Sequence, residues 1–277
     1  MRLDDTAPGF PDAGQSGWKA LSRPDKWFVL ISLLAVSGIA WLYLLMMFWH
    51  MQTMPMAQMW MPPTGLDARP WAPLDFWLTF LMWAVMMMAM MVPSAFPMVM
   101  MFTAINRRKR AASQPYVSTW VFIAGYVIAW AGFSALAALA QWPMHRYALL
   151  TPMMDNSSHV LAGIALVVAG LYQFTPWKDV CLNKCRTPLG FVMTQWRDGT
   201  GGALAMGLRH GLYCVGCCWA LMLVLFAVGV MNMLWVVIIT AFVIFEKVMP
   251  GGPKAVRFVS GSLLLAWGMW LLVGATT

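Results

Sequence analysis

Long apolar runs recur along this chain, and they fix its architecture before any motif is weighed. Seven can be drawn, roughly Trp27–Trp49, Leu74–Phe102, Val117–Gln141, His159–Thr175, Ala203–Val230, Met231–Lys247 and Val256–Gly274. A helix needs about 20 such residues to cross a hydrocarbon core of about 30 Å, with a working range of about 17–25. The fourth and sixth runs lie near the short limit; the second and fifth are long enough to tilt, kink or protrude. Within the second, Pro93 and Pro97 are the expected breaks, because proline lacks a backbone donor and clashes with the preceding turn. Only 10% of the residues are charged, against about 25% in a soluble domain. The segments of alternating hydrophobicity that mark a barrel are absent. The expected fold is all-α, a polytopic transmembrane bundle of about seven spans over residues 27–277, preceded by a polar segment over 1–26.

Lysine and arginine are distributed unevenly between the two sets of loops. Fifteen fall on the side of the N-terminus, whereas Arg69 and Arg146 stand alone on the other and Arg209 lies inside the fifth run. The positive-inside rule then places the N-terminus in the cytoplasm and the C-terminus outside. The net charge of +8 follows from this asymmetry and requires no nucleic-acid partner. The first apolar run starts late and is too long for a signal peptide, so it is expected to stay as an anchor. Trp27, Trp49, Trp71, Trp120, Trp142 and Trp177 fall near run ends, as an aromatic belt requires.

Sulfur is concentrated in four places. Residues 46–61 read MMFWHMQTMPMAQMWM, placing His50 among Met51, Met54, Met56, Met59 and Met61 at the outer end of the first span. Thioether and imidazole are neutral ligands suited to Cu(I); a flexible apolar surface loop is the alternative. Residues 82–91 read MWAVMMMAMM, in which Met82, Met86 and Met90 share one helical face and Met87 and Met91 form a parallel stripe. Methionine also packs well in irregular cores, so these residues fit either packing or metal contact. The third group, Cys214, Cys217 and Cys218, has the i, i+3, i+4 spacing of a single helical face. At 1.5 Å per residue Cys214 lies about 16 Å inward from Ala203, close to the depth expected for the methionines. The fourth, Cys181 and Cys185 in YQFTPWKDVCLNKCRTP, is expected at the cytoplasmic end of the fourth span, beside Lys178, Lys184 and Arg186. Neighbouring cations favour the thiolate that binds metal, and the spacing is unlike a zinc knuckle.

Among the intramembrane ionisable residues, Arg209 and Glu246 fall at similar depth on antiparallel spans and are expected to pair, closing the inner end of the bundle. His145 and His159 flank the second outer loop and are candidates for extending an outer copper surface. No nucleophile triad or nucleotide fingerprint is present, and GTGG at 199–202 lacks the lysine of a phosphate loop. Neither catalysis nor ATP-driven pumping is expected.

The segments MMMAMMVPS, YQFTPWKDVCLNKCRTP, GLYCVGCCWALM and FEK resemble those of a bacterial family of integral membrane proteins designated metal-binding. The resemblance runs from about residue 75 to the end and implies metal binding without naming the metal. Together with the sulfur clusters it gives the leading expectation: a copper-handling protein of the bacterial inner membrane that transfers or transports Cu(I). Its partners would be the lipid bilayer and a copper chaperone or membrane metalloenzyme. A non-transporting assembly factor that supplies copper to a metalloenzyme, and a membrane thiol–disulfide protein, are the alternatives.

Overall fold

A computed structural model describes residues 23–53, 60–113, 116–151, 154–155, 157–249 and 254–275. Ten α-helices account for most of these residues: α1 (Arg23–Thr53), α2 (Pro73–Met91), α3 (Phe96–Ala111), α4 (Thr119–Arg146), α5 (His159–Gln173), α6 (Pro176–Arg186), α7 (Pro188–Gln195), α8 (Gly199–Val228), α9 (Met233–Val248) and α10 (Lys254–Gly274). Five of them, α1, α2, α4, α8 and α10, are long and apolar enough to cross a membrane, and α5 with α6 makes a sixth if that bent pair counts as one span. The expected seventh, α9, has 16 residues, about 24 Å at 1.5 Å per residue. By length and composition alone it does not qualify. The first 22 residues, most of the expected polar segment, lie outside the described residues.

The second apolar run is broken where its prolines predict. Helix α2 ends at Met91, a single 3-10 turn spans Pro93–Ala95, and α3 restarts with Pro97 in its first turn. The Ala95 amide bonds to Val92 O rather than continuing the α ladder to Met91 O. The freed Met91 carbonyl is taken instead by the Tyr126 hydroxyl at 2.9 Å and the Ser94 hydroxyl at 2.7 Å, as a buried orphan acceptor requires. The fourth run forms α5 and ends as drawn, and a bend follows it. After Gln173 the chain bends by 67°, and α6 packs against α8.

Helix α8 is the axis of the molecule. Over half of its most apolar window is buried, against 11% for α10, and it packs on α4, α5, α6 and α9. Its approach to α4 is backbone to backbone: a Cβ on Gly207 would overlap the Phe122 carbonyl, the close contact that small residues permit between spans. Helix α10 packs mainly on α5 and turns Phe258, Leu263, Met269 and Trp270 outward, an apolar exterior suited to lipid.

At the far end of α4 the segment 60–72 folds across the bundle. The Asp75 carboxylate is 1% exposed; it holds Arg69 by two bonds (2.6 and 2.9 Å), the Ala72 amide (2.8 Å) and the Trp60 indole (3.1 Å). Beside it runs a chain whose donors can be assigned in order. The Trp83 indole, a donor only, gives its proton to Gln141 Oε1 at 2.7 Å. The Gln141 amide must then donate to His145 Nε2 at 3.1 Å. His145 therefore carries its proton on Nδ1 and donates to Thr64 Oγ1 at 2.9 Å, and Thr64 donates to Pro62 O at 3.1 Å. His145 is fully buried, and both ring nitrogens are committed to this chain. The expectation that it extends an outer copper surface is corrected accordingly; His159, by contrast, is exposed.

Candidate metal centre at the α6–α8 contact

The three cysteines of α8 all face inward and are buried. Their spacing puts them on the stripe that also buries Ala203, Met206, Gly207 and His210. The Cys217 and Cys218 thiols donate to the Cys214 carbonyl at 3.1 and 2.9 Å, a local satisfaction that a change of side-chain rotamer would release. Cys214 itself is the hub. Its sulfur accepts from the Lys247 ammonium at 2.9 Å and lies 3.1 Å from the Tyr126 hydroxyl. Lys247 also donates to Ser94 Oγ at 2.8 Å, so the turn created by Pro93 helps to hold the lysine in place.

Helix α6 brings the other two cysteines to the same place. Cys185 is buried in the same core, close enough to the Cys214 and Cys217 thiols to interact with them electrostatically. Cys181 lies against α8 at Gly216, where a Cβ would stand 2.7 Å from its sulfur. All five cysteines are free thiols. The sequence placed the pair 181/185 as a separate element at the cytoplasmic face; the 67° turn between α5 and α6 brings it against the triplet instead.

The methionines separate into two outcomes. Met82, Met86 and Met90 are buried in the hydrophobic core, while the sulfur–sulfur contact with the cysteines comes from the parallel stripe, Met91 Sδ to Cys218 Sγ at 3.9 Å. In the outer cluster, His50 and Met51 occupy the last turn of α1, with His50 exposed and Met51 half-buried. Met54, Met56 and Met59 lie outside the described residues, and Met61 is half-buried.

Next to the sulfur cluster lies a buried ion pair that differs from the expected one. Glu246 pairs with Lys178, not Arg209: Lys178 Nζ lies 2.9 and 2.8 Å from the two carboxylate oxygens and also bonds to Gln173. Both charged groups are essentially inaccessible, at 0% and 3% side-chain exposure. Arg209 sits off the buried stripe of α8, is exposed, and donates to Gln195 of α7 at 2.5 Å. The reason is again the bend before α6, which carries Lys178 inside.

Lys178, Glu246 and Lys247 together leave one positive charge facing the sulfurs. A Cu(I) ion held by two thiolates carries one negative charge, so Lys247 would bring the assembly to neutrality, which a low-dielectric interior demands of any buried charge. Among the described residues no three His, Cys, Asp or Glu side chains surround a common point as they stand. A soft, low-coordinate ion asks less than that. Thiolates and a thioether are the donors that select Cu(I), and Cys185, Cys214, Cys217, Cys218 and Met91 supply both. Sequence reasoning missed Lys247, Tyr126, Ser94 and Met91 as neighbours of the thiols. For Lys247 the signal was present: a lysine directly after a glutamate in an apolar run, within the FEK segment.

Fold and site together define an all-helical protein, among its described residues, with five or six stretches apolar enough to span a membrane and a buried cluster of sulfur and charged side chains on its central helix. Residues 80–271 match the PpoB2 copper chaperone family, and the chain belongs to that family. The matched region contains the whole thiol cluster, α2 from Phe80 onward, α3 and the Lys178–Glu246 pair. No curated protein and no solved structure matches the chain.

Proposed function

We propose that this chain is a membrane-embedded copper carrier that takes Cu(I) onto thiols of α6 and α8 and hands it to an acceptor protein. The observation that carries this reading is the packing of the α6 cysteines against the α8 triplet, with Cys181 at Gly216 and Cys185 buried in the same core, beside Met91 on Cys218 and the Lys247 ammonium on Cys214. Transfer is preferred to unaided transport across the bilayer because the family is one of copper chaperones. A low-coordinate site that exchanges thiolates one at a time suits hand-over.

In this reading α9 crosses the membrane with the help of its flanking loops, giving seven spans with the N-terminus in the cytoplasm of a bacterial inner membrane. Lys178 and Lys247 are buried and leave the loop count, but the remaining thirteen lysines and arginines against two still favour that orientation. The Met51–Met61 segment with His50 then lies on the outer side as a place where copper is collected or released. Met82, Met86 and Met90 pack the path between it and the thiols.

Replacing Cys214, Cys217 and Cys218 together by serine is expected to abolish stoichiometric Cu(I) binding by anaerobically purified protein, measured by competition with a chromophoric Cu(I) chelator. Unchanged stoichiometry would remove these thiols from the scheme. Copper flux in sealed vesicles separates transfer from transport: a carrier loads without translocating.

A further inference from the structure

The geometry points to a second binding site, for the phosphate headgroup of an anionic phospholipid, in a cavity between α1, α3 and the start of α4. It shares no residue with the thiol cluster and does not depend on the copper reading.

The cavity measures about 310 Å³, at the small end of the roughly 300–1,000 Å³ usual for ligand pockets. Its walls are of two kinds. Arg107 and Arg110 of α3 stand at its rim with Tyr116, and the Arg110 guanidinium lies 4.9 Å from the centre of the Tyr116 ring. Val29 and Leu33 of α1 and Ile123 of α4 give the other side an apolar lining. Among the described residues, those lining it include no acidic side chain.

The rim is held in shape by its own bonds. Asn106 donates to Val117 O and accepts from the Val117 amide at 3.2 Å, tying the extended residues before α4 to α3. The Thr103 and Thr119 hydroxyls meet at 3.1 Å across the same junction. Asn106 and Thr103 are buried. The arginines therefore project from a braced frame rather than from a free helix end.

This combination selects its ligand. A free inorganic anion has no use for the apolar wall, and a neutral lipid tail has none for two guanidinium groups. A phosphate joined to an acyl chain uses both. Guanidinium groups recognise phosphate oxygens through paired bonds, and basic pockets between spans are known seats for anionic headgroups. A lipid seated here would also tie α1 to the bundle, since only 28% of the apolar window of α1 is buried by protein.

The test uses the full chain in nanodiscs of phosphatidylcholine with or without phosphatidylglycerol, together with native mass spectrometry of the detergent-purified protein. Phosphatidylglycerol is expected to raise Tm by roughly 2–4 °C and to survive purification as a bound molecule. Both effects should be lost in Arg107→Gln/Arg110→Gln, with Cu(I) stoichiometry unchanged. Equal Tm in the two lipids would overturn the proposal, and this arm needs no variant. Retention of the lipid by the double variant would overturn it as well. So would an equal rise produced by inorganic phosphate in phosphatidylcholine discs, which would make the site one for the free anion.

Discussion

Helix α4 carries two buried polar assemblies, one near each end. Tyr126 joins the sulfur cluster; fifteen residues on, about 22 Å along the axis, Gln141 joins the chain from Trp83 to Pro62. In the second, each donor has one acceptor, and the donor-only indole fixes every later proton. In the first, the same sulfur meets a lysine and a tyrosine, and two further thiols borrow a helix carbonyl. One arrangement has a single solution and serves to fasten segment 60–72 to the bundle. The other has several solutions of similar quality, which is what a site for an arriving and departing ion needs. Polarity in the interior thus fastens the fold at one end and, in the function proposed above, would serve exchange at the other.

The largest effect expected from breaking this division comes from the charges behind the sulfur site. Glu246→Gln leaves Lys178 buried without its counter-ion, a loss of about 3–5 kcal/mol by the precedent of broken buried pairs. A marked fall in the melting temperature in detergent would show it. Restoration by adding Lys178→Met to Glu246→Gln would assign the loss to the unpaired charge; a double variant as unstable as the single would speak against that assignment.

Next in size is the fastening chain. Gln141→Leu strands the Trp83 indole N–H and His145 Nε2 in a buried place, at about 1–3 kcal/mol for each unsatisfied group. Tm should fall while Cu(I) affinity stays as it was. Loss of copper affinity in this variant would mean that the two ends of α4 are not separable.

The smallest structural change is Met91→Leu, close to volume-conserving and worth less than about 1.5 kcal/mol in packing. It removes a thioether that touches Cys218, so copper affinity should drop while stability hardly moves. Met86→Leu, without a described contact to the thiols, should change neither. Equal losses in the two variants would show that α2 acts on the site through packing rather than through the Met91 sulfur.

These contrasts also show what could be read in advance. The i, i+3, i+4 spacing put Cys214, Cys217 and Cys218 on one face, and the face is buried; a single helix's periodicity contains that information. Pro93 announced the break after α2 because the missing N–H is local. What lay out of reach depends on how separate helices meet. Arg209 and Glu246 shared a depth, but depth says nothing of rotation about the helix axis, and Arg209 points outward. The α6 cysteines pack on the α8 triplet because the chain bends by 67° before α6, a bend that Pro176 permits without dictating its direction. Lys247 looked like one more charge at the positive side, and its role appears only when α9 sets it beside α8. In the sequence Met91 is only part of a parallel stripe, while Met82, Met86 and Met90 are the expected metal contacts; which stripe meets Cys218 depends on how α2 is rotated against α8.

The central proposal is that sulfur from α6 and α8 closes on one copper ion. Copper X-ray absorption on the Cu(I)-loaded full chain, compared with Cys185→Ser and Cys214→Ser, examines that most directly. A shell of sulfur donors alone that loses a sulfur in either variant is the predicted result. A shell dominated by nitrogen and oxygen, or a sulfur shell that neither variant alters, would contradict it.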